Sequence, residues 1–291
     1  MRLVITGASG QLAQRAAELV LATTGPKDLI LTTRSPAALA DFARRGVTVR
    51  HADFAAARTL TAAFAGGERL LLVSATDLAQ RTAQHEAAIA AAAAAGVRHV
   101  IYTSGLDPKP PNPAVVAPSH YATERALARS GLAWTVLRNS LYADYQTPEA
   151  AQAIATGSLV HNRGAGRVAY VAREDCAAAA AAVLVAEGHS GACYDVTGPE
   201  SYSAAELAAL YGELGRRRVA PRALGDAEFV STLVGAATGD DHLRYGAELV
   251  ASFGRSIREG YMQACSDTVL RLTGRPPRSL RQVLEPLRAR H

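Results

Sequence analysis

Cysteine is scarce in this chain of 291 residues: Cys176, Cys193 and Cys265 are the three, at none of the C-x-x-C spacings of zinc or redox motifs. A disulfide or zinc-thiolate scaffold is thereby excluded as the basis of the fold. No metal site is expected, and the simplest expectation is three buried, reduced thiols in a cytosolic protein. Long apolar runs are missing too. The alanine tract Ala87 to Ala95 is barely hydrophobic, lies between Glu86 and the Arg98-His99 pair, and is too short to span a bilayer. The first apolar run, within Met1 to Thr6, stops at Gly7 before it is long enough for a signal-peptide core. A cytoplasmic chain with no membrane segment is therefore expected. There is no internal repeat and no heptad array. The arginines that gather late, Arg216 to Arg218, Arg271, Arg275, Arg278 and Arg281, are not interleaved with aromatic residues and match no nucleic-acid module. The net charge of +5 thus reads as solvated surface or attraction of a small anion, with nucleic acid disfavoured.

What is present is enough apolar material for a large core. With 49% hydrophobic and 20% charged residues the chain should fold alone, as one large domain or two coupled ones. Short apolar runs alternate with helical periodicity. Strands are expected near Arg2 to Thr6, Leu29 to Thr33, Val47 to Val49, Leu70 to Val73, Val100 to Thr103 and Thr135 to Leu137. Helices fall between them, near Thr59 to Phe64, Gln80 to Ala95 and Ala122 to Ala128, and Ser35 is expected to cap a helix that starts at Pro36. Such alternation implies a doubly wound α/β fold, a Rossmann-type parallel sheet with helices on both faces. Asp107 to Pro118, with five prolines in twelve residues, reads as a loop over the sheet edge. After Leu141 the rhythm changes. A helix from Pro148 to Ala155, an alanine-rich helix after Asp175, a strand at Cys193 to Val196 and helices at Ser203 to Leu214 and through 240–265 suggest a smaller, mostly helical C-terminal lobe. The expected division is 1–140 as the nucleotide-binding domain, with later strands returning to it from about 160–200, and 141–291 as the substrate lobe.

The first turn carries the chemistry. Gly7-Ala8-Ser9-Gly10-Gln11-Leu12-Ala13 has the G-x-x-G-x-x-G/A form between a strand and a helix. Glycines there permit a tight turn and close approach to a pyrophosphate, and the helix N-terminus offers free N–H groups to it. Gly7, Ser9, Gly10, Gln11 and Leu12 are accordingly candidate cofactor contacts. A carboxylate about 20 residues further on would suit NAD. The second strand ends instead in Thr33-Arg34. Arginine accepts a 2′-phosphate through paired hydrogen bonds, which points to NADPH. Asp53 and Phe54, after the third strand, form either a lid for the adenine or, for Asp53, a local cap.

The chain resembles the NmrA-like branch of the atypical short-chain dehydrogenases, and within it the NADPH:quinone oxidoreductase group that includes triphenylmethane reductases. The motifs that carry this run nearly end to end: the glycine turn, Leu70 to Ser74, Gln84-His85, Ala94 to Val100, Tyr102-Thr103-Ser104, Leu137-Arg138-Asn139, Arg173-Glu174-Asp175 and Tyr194 to Glu200. The resemblance adds Ser74, Ala75, Thr103 and Ser104 to the cofactor contacts. A typical short-chain dehydrogenase uses Tyr-x-x-x-Lys, and Tyr121-Ala122-Thr123-Glu124-Arg125 mimics it. The glutamate that follows the lysine by four residues in relatives aligns instead with Glu124, which puts His120 in the lysine place and Val116 where the tyrosine would be. The standard acid is then absent. His120 either bonds the nicotinamide ribose or is an ordinary helix-start histidine. The resemblance places Asn139 beside the nicotinamide, donating to a carbonyl of the acceptor, with a strand-end turn as the alternative; Tyr142 and Tyr145 either stack on a flat ring, offer a hydroxyl, or simply pack.

Ketone reduction needs a proton as the alkoxide develops, whereas a reduced quinone is a delocalised phenolate that can wait for solvent. An NADPH-dependent reductase passing hydride to a quinone-like or other planar conjugated acceptor is therefore expected. The alternatives are a non-catalytic NADP-binding redox sensor of the NmrA type and a secondary-metabolism reductase acting on an enone or iminium. A homodimer is left open. Gln146-Thr147-Pro148 and the loop from Pro108 to Pro118 depart from the quinone reductases, and both are expected to border the acceptor pocket.

Overall fold

The computed structural model describes residues 1–235 and 240–288, so the end of the expected second lobe, 289–291, lies outside the described residues. The first part alternates strictly: β1 Leu3–Ile5, α1 Gln11–Leu21, β2 Leu29–Thr33, α2 Ala40–Arg44, β3 Thr48–His51, α3 Leu60–Phe64, β4 Arg69–Leu72, α4 Arg81–Ala94, β5 His99–Gly105, α5 Ala117–Arg129 and β6 Ala133–Asn139. The rest runs α6 Gln146–Thr156, β7 Ser158–His161, α7 Arg173–Val185, β8 Ala192–Val196, α8 Ala204–Gly215, β9 Ala220–Ala223, α9 Asp226–Val234, α10 Asp241–Arg258, α11 Thr268–Thr273 and α12 Leu280–Leu284.

β1, β2 and β4 are buried at every position, as befits apolar runs covered on both faces. They lie in a seven-stranded, all-parallel sheet of order β3-β2-β1-β4-β5-β6-β8. The expected doubly wound architecture is thus the observed one. On one face α1 packs against α7 and α7 against α11; on the other lie α3, α4 and α5. The alanine richness has its reason here. Ala13, Ala16 and Ala17 of α1 meet Ala177, Ala179 and Ala180 of α7 in one fully buried cluster, and small side chains let two helices approach closely over the sheet.

A second core gathers α6, α8 and α12 around Tyr170 and Tyr211, which makes the C-terminal region smaller and largely helical. Several expectations need correction there. Of the stretch 160–200, β8 joins the large sheet but β7 does not: it pairs in parallel with β9 in a separate two-stranded sheet. β9 reads Ala-Pro-Arg-Ala, exposed throughout, so it carries no apolar signal. α10 stops at Arg258 rather than continuing to 265. Ser35 caps nothing with its side chain; its backbone N–H donates to Thr33 Oγ1 at 3.2 Å. Cys176 is buried, but Cys193 and Cys265 are exposed free thiols: Cys193 sits on β8, the last strand of the large sheet, and Cys265 in the segment between α10 and α11.

The proline-rich segment is not at the sheet edge either. It leaves central strand β5, ends at Val116 where α5 begins with Pro118 in its first turn, and is clamped to α10: Ser252 Oγ accepts from Val115 N–H at 3.1 Å, and Ser256 Oγ donates to Asn112 Oδ1 at 2.9 Å. This clamp hangs the loop over the carboxyl end of the sheet.

Candidate active site

Strand order reverses between β1 and β4, so the chain leaves their carboxyl ends in opposite directions and opens a crevice. A cleft of about 340 Å³ occupies it. Gly7 turns the chain at φ +59°, and Gly10 N–H donates to Gly7 O at 2.8 Å; a Cβ on Gly10 would sit 3.2 Å from that oxygen. α1 then starts with no side-chain cap and no acidic residue in its first turn, which leaves its N-terminal N–H groups and positive dipole end for an anion. Thr33 Oγ1 donates to Ser9 Oγ at 3.1 Å and pins the turn to the end of β2.

Of the expected cofactor contacts, Gly7, Ser9, Gly10, Arg34, Asp53, Phe54, Ser74 and Ala75 all line this cleft. Arg34 is exposed and makes no hydrogen bond or ion pair with any described residue. Asp53 closes a local turn, its Oδ1 accepting from Ala55 N–H at 3.0 Å. Two assignments shift. Leu12 turns its side chain into the core and offers a ligand only its backbone, and Gln11 Oε1 is engaged by Arg173 Nη1.

A second cleft of about 200 Å³ meets the first at Ser74. Thr103, Ser104, His120, Asn139, Tyr142 and Tyr145 line it, together with Val116 and Arg81. Pro108 of the proline-rich loop borders it, whereas Gln146 does not; it is buried beneath, within 3.4 Å of Tyr211 Oη. Tyr121 is absent from the lining and lies under the Arg125 guanidinium at 5.9 Å, which removes the Tyr-x-x-x-Lys mimic from the site.

Behind the cleft runs a buried polar chain. Ala75 N–H donates to His85 Nε2 at 2.9 Å, so His85 carries its proton on Nδ1, 2.9 Å from Thr123 Oγ1. Arg81 Nη1 lies 3.3 Å from His120 Nε2, which must accept, and His120 Nδ1 is 2.7 Å from Tyr102 Oη. Both ring nitrogens of His120 are therefore occupied within the protein, and the expected bond to a ribose has no free nitrogen to make it. Burial, reinforced by Arg81, pushes His85 and His120 down to about 3, and burial first, then Arg69, pushes His99 to about 4. All three are neutral at physiological pH. Since the folded values lie below the ordinary value near 6.5, the stability they confer is complete above pH 6.5 and is lost as pH falls toward 4. We expect roughly 1 to 2 kcal/mol per histidine to be gone at pH 5, seen as a melting temperature several degrees lower at pH 5 than at pH 7.5; equal melting temperatures would contradict the buried neutral rings.

Glu124 of α5 holds the ends of two strands: Arg138 donates to both its oxygens at 3.0 and 2.7 Å, and Ser104 Oγ donates to Oε1 at 2.7 Å. Ser104 is thereby committed. Thr103 Oγ1 accepts from Ser74 N–H at 2.9 Å and joins the two clefts. Asn139, at the end of β6, donates from Nδ2 to Tyr142 Oη at a long 3.4 Å, while its Oδ1 and the neighbouring Ser140 Oγ are buried without a partner among the described residues. Tyr142 is tilted against the exposed Tyr145 ring at 5.9 Å, and Arg173 covers both rings at 5.4 and 5.1 Å. Burial raises the Tyr142 phenol well above its usual range.

This two-part crevice has close counterparts. Residues 7–187 match the NAD(P)H-binding family. Over 285 residues, 98% of each chain, the sequence is 33% identical to quinone oxidoreductase 2 of Escherichia coli strain K12. The chain belongs to this NmrA-like family of NAD(P)H-binding oxidoreductases. The fold agrees: a crystal structure of NADPH-dependent quinone oxidoreductase from Escherichia coli complexed with NADPH superposes with a TM-score of 0.92 at 33% identity, covering 98% of this chain and 99% of that one. The Citrobacter sp. triphenylmethane reductase complexed with NADP(H) gives 0.89 at 30% identity over 99% and 100%. Two side chains of this oxidoreductase carry site geometry that sequence reasoning passed over. Arg81 opens a helix, where a charged residue reads as solvated, and Arg173 lay inside a motif that suggested no role; the Gln84-His85 pair beside Arg81 was the available signal. Among the described residues no group of histidine, cysteine and acidic side chains could hold a metal, and no helix is long and apolar enough to cross a membrane.

Proposed function

We propose that the chain is an NADPH-dependent reductase that passes hydride directly to a planar, quinone-like acceptor held in the second cleft. The observation that carries this reading is the meeting of the two clefts at Ser74, with no carboxylic acid, lysine or protonated histidine among the described residues that line the acceptor side. His120 is neutral with both nitrogens engaged, Tyr142 holds its proton tightly, and Val116 stands at the tyrosine place. A quinone tolerates that lack; a simple ketone does not.

In this reading the glycine turn and the α1 N-terminus hold the pyrophosphate, Arg34 the 2′-phosphate, and Ser74, Ala75, Thr103 and Asn139 the nicotinamide side. When bound, NADPH supplies the hydride. Residues 1–140 hold the cofactor, and 141–291 close the acceptor side, with Phe253 and Met262 on its wall. Tyr142 and Tyr145 offer flat faces to a ring. Arg173 brings a cation beside the α1 N-terminus through its contact with Gln11.

The test is the loss of near-ultraviolet absorbance of NADPH, with NADH alongside, against benzoquinones, naphthoquinones and triphenylmethane dyes. Turnover with a preference for NADPH supports the reading. Tight cofactor binding with no turnover of any acceptor would replace it with a sensor. Asn139→Ala should lower kcat about 100-fold or more, the range for losing one oxygen-directed donor, with NADPH affinity changed far less than kcat; undiminished kcat would remove Asn139 from the chemistry.

A further inference from the structure

Arg81 is 7% exposed, yet no carboxylate among the described residues pairs with it. Its Nε donates to Ala75 O at 2.7 Å, and Nη1 reaches Ser119 Oγ at 3.5 Å and His120 Nε2 at 3.3 Å. All three partners are neutral. Nη2 has no hydrogen-bond partner among the described residues, and Arg81 lines the second cleft. The surroundings offer no compensation. His85 and His120 are uncharged, and the other ionisable side chains that act on Arg81 are the phenols of Tyr102 and Tyr245. Burying a cation without a counter-charge is expensive, and a guanidinium escapes by deprotonation less readily than any other side chain. A positive charge maintained at such cost on the wall of a cleft marks the place where an anion is to be held.

We propose that Arg81 is the oxyanion-binding residue of the acceptor cleft, and that the site therefore takes planar aromatic ligands bearing or developing one anionic oxygen. The inference rests on the hydride-transfer reading. In that step two electrons and one hydrogen pass from the dihydronicotinamide, which is left as the oxidised cation, to the quinone, which becomes the hydroquinone monoanion. Its charge is on one oxygen. Arg81 stabilises that oxygen by charge-assisted hydrogen bonding and keeps its own protons. The second proton then comes from water and completes the hydroquinone. Charge stabilisation at Arg81 thus stands in for the missing acid, and the polar chain through His120 and Tyr102 holds the guanidinium in place.

The probes are 2-naphthoate and its neutral isostere 2-naphthamide, titrated by calorimetry into the full-length protein saturated with NADP⁺. The wild type should bind the carboxylate at least about 10-fold more tightly than the amide, as one charge-assisted pair predicts. Arg81→Met should abolish that preference while leaving the affinities for naphthamide and NADP⁺ within about threefold, and should lower kcat for quinones by roughly 100-fold with little change in KM. Arg81→Lys, which keeps the charge but not the Nε bond to Ala75, should retain much of the preference; it also decides the matter should the methionine variant fail to fold. A purely structural role would weaken both naphthalene ligands and NADP⁺ together, which overturns the proposal, as does a carboxylate preference that survives Arg81→Met. Naphthoate selectivity that depends on Arg81 in a protein that turns over no quinone would refute the reductase reading and leave the anion site standing.

Discussion

Arg34→Asp will weaken NADPH binding by about 100-fold or more while moving NADH by less than about threefold. The effect combines two losses. Paired charge-assisted hydrogen bonds to a 2′-phosphate disappear, and a carboxylate is set against a dianion in their place; together these exceed about 3 kcal/mol, and every 1.4 kcal/mol is a factor of ten. Nothing else in the protein should notice. Arg34 is exposed on the cleft wall and makes no hydrogen bond or ion pair with any described residue, so its removal breaks none. Asp53 and Asp77, the carboxylates on the same wall, are turned to local backbone bonds with Ala55, Ala79 and Gln80. Equilibrium titration with both dinucleotides, followed by nucleotide fluorescence, checks the prediction. Equal weakening of NADH would place Arg34 on the pyrophosphate or adenine instead, and unchanged discrimination would end its role in selectivity.

Gly198→Ala should be among the most damaging single methyls that can be added outside the cofactor crevice. Gly198 follows β8, and a Cβ there would lie 1.9 Å from Tyr170 O and 3.1 Å from its carbonyl carbon. The backbone conformation at Gly198 is one that alanine accepts, so the cost is purely steric. Neither side can retreat. Tyr170 is buried in the second core, next to Val171, whose N–H donates to Leu141 O at 3.0 Å; Thr197 on the other side is tied to Ser266, whose N–H donates to its Oγ1 at 2.8 Å. We expect a loss on the order of 4 kcal/mol, the range reserved for irreconcilable core contacts, and a melting temperature lower by about 10 °C. Gly188→Ala is the control. It has φ +86° but nothing within 4 Å of a Cβ, so backbone strain of about 1 kcal/mol is all it should cost. Equal melting temperatures for the two variants would mean that the seam between β8 and the second core is plastic.

The large sheet could be read from the chain because its strands are buried on both faces and so apolar without interruption, and because a glycine turn after the first strand has one common structural meaning. β9 could not. Its four residues are exposed and include a proline, and it exists because β7 is held beside it by α6 and α8. The proline-rich segment was legible as irregular but not as a wall of the acceptor cleft, since its two clamps are Ser252 and Ser256, more than a hundred residues away on α10. His120 illustrates the same limit at one side chain. Its register against Glu124 follows from spacing, but its occupation by Tyr102 and Arg81 depends on strand β5 and helix α4 being brought against α5.

By itself, then, the sequence determined the doubly wound sheet and the glycine turn between β1 and α1, and put an arginine rather than a carboxylate at the end of β2, because each is written in residues a few positions apart. Tertiary structure alone decided that Arg81 is a buried side chain on the wall of the second cleft rather than a solvated helix-start charge. The cost of burying a charge depends on which elements close over it, and no local pattern records that.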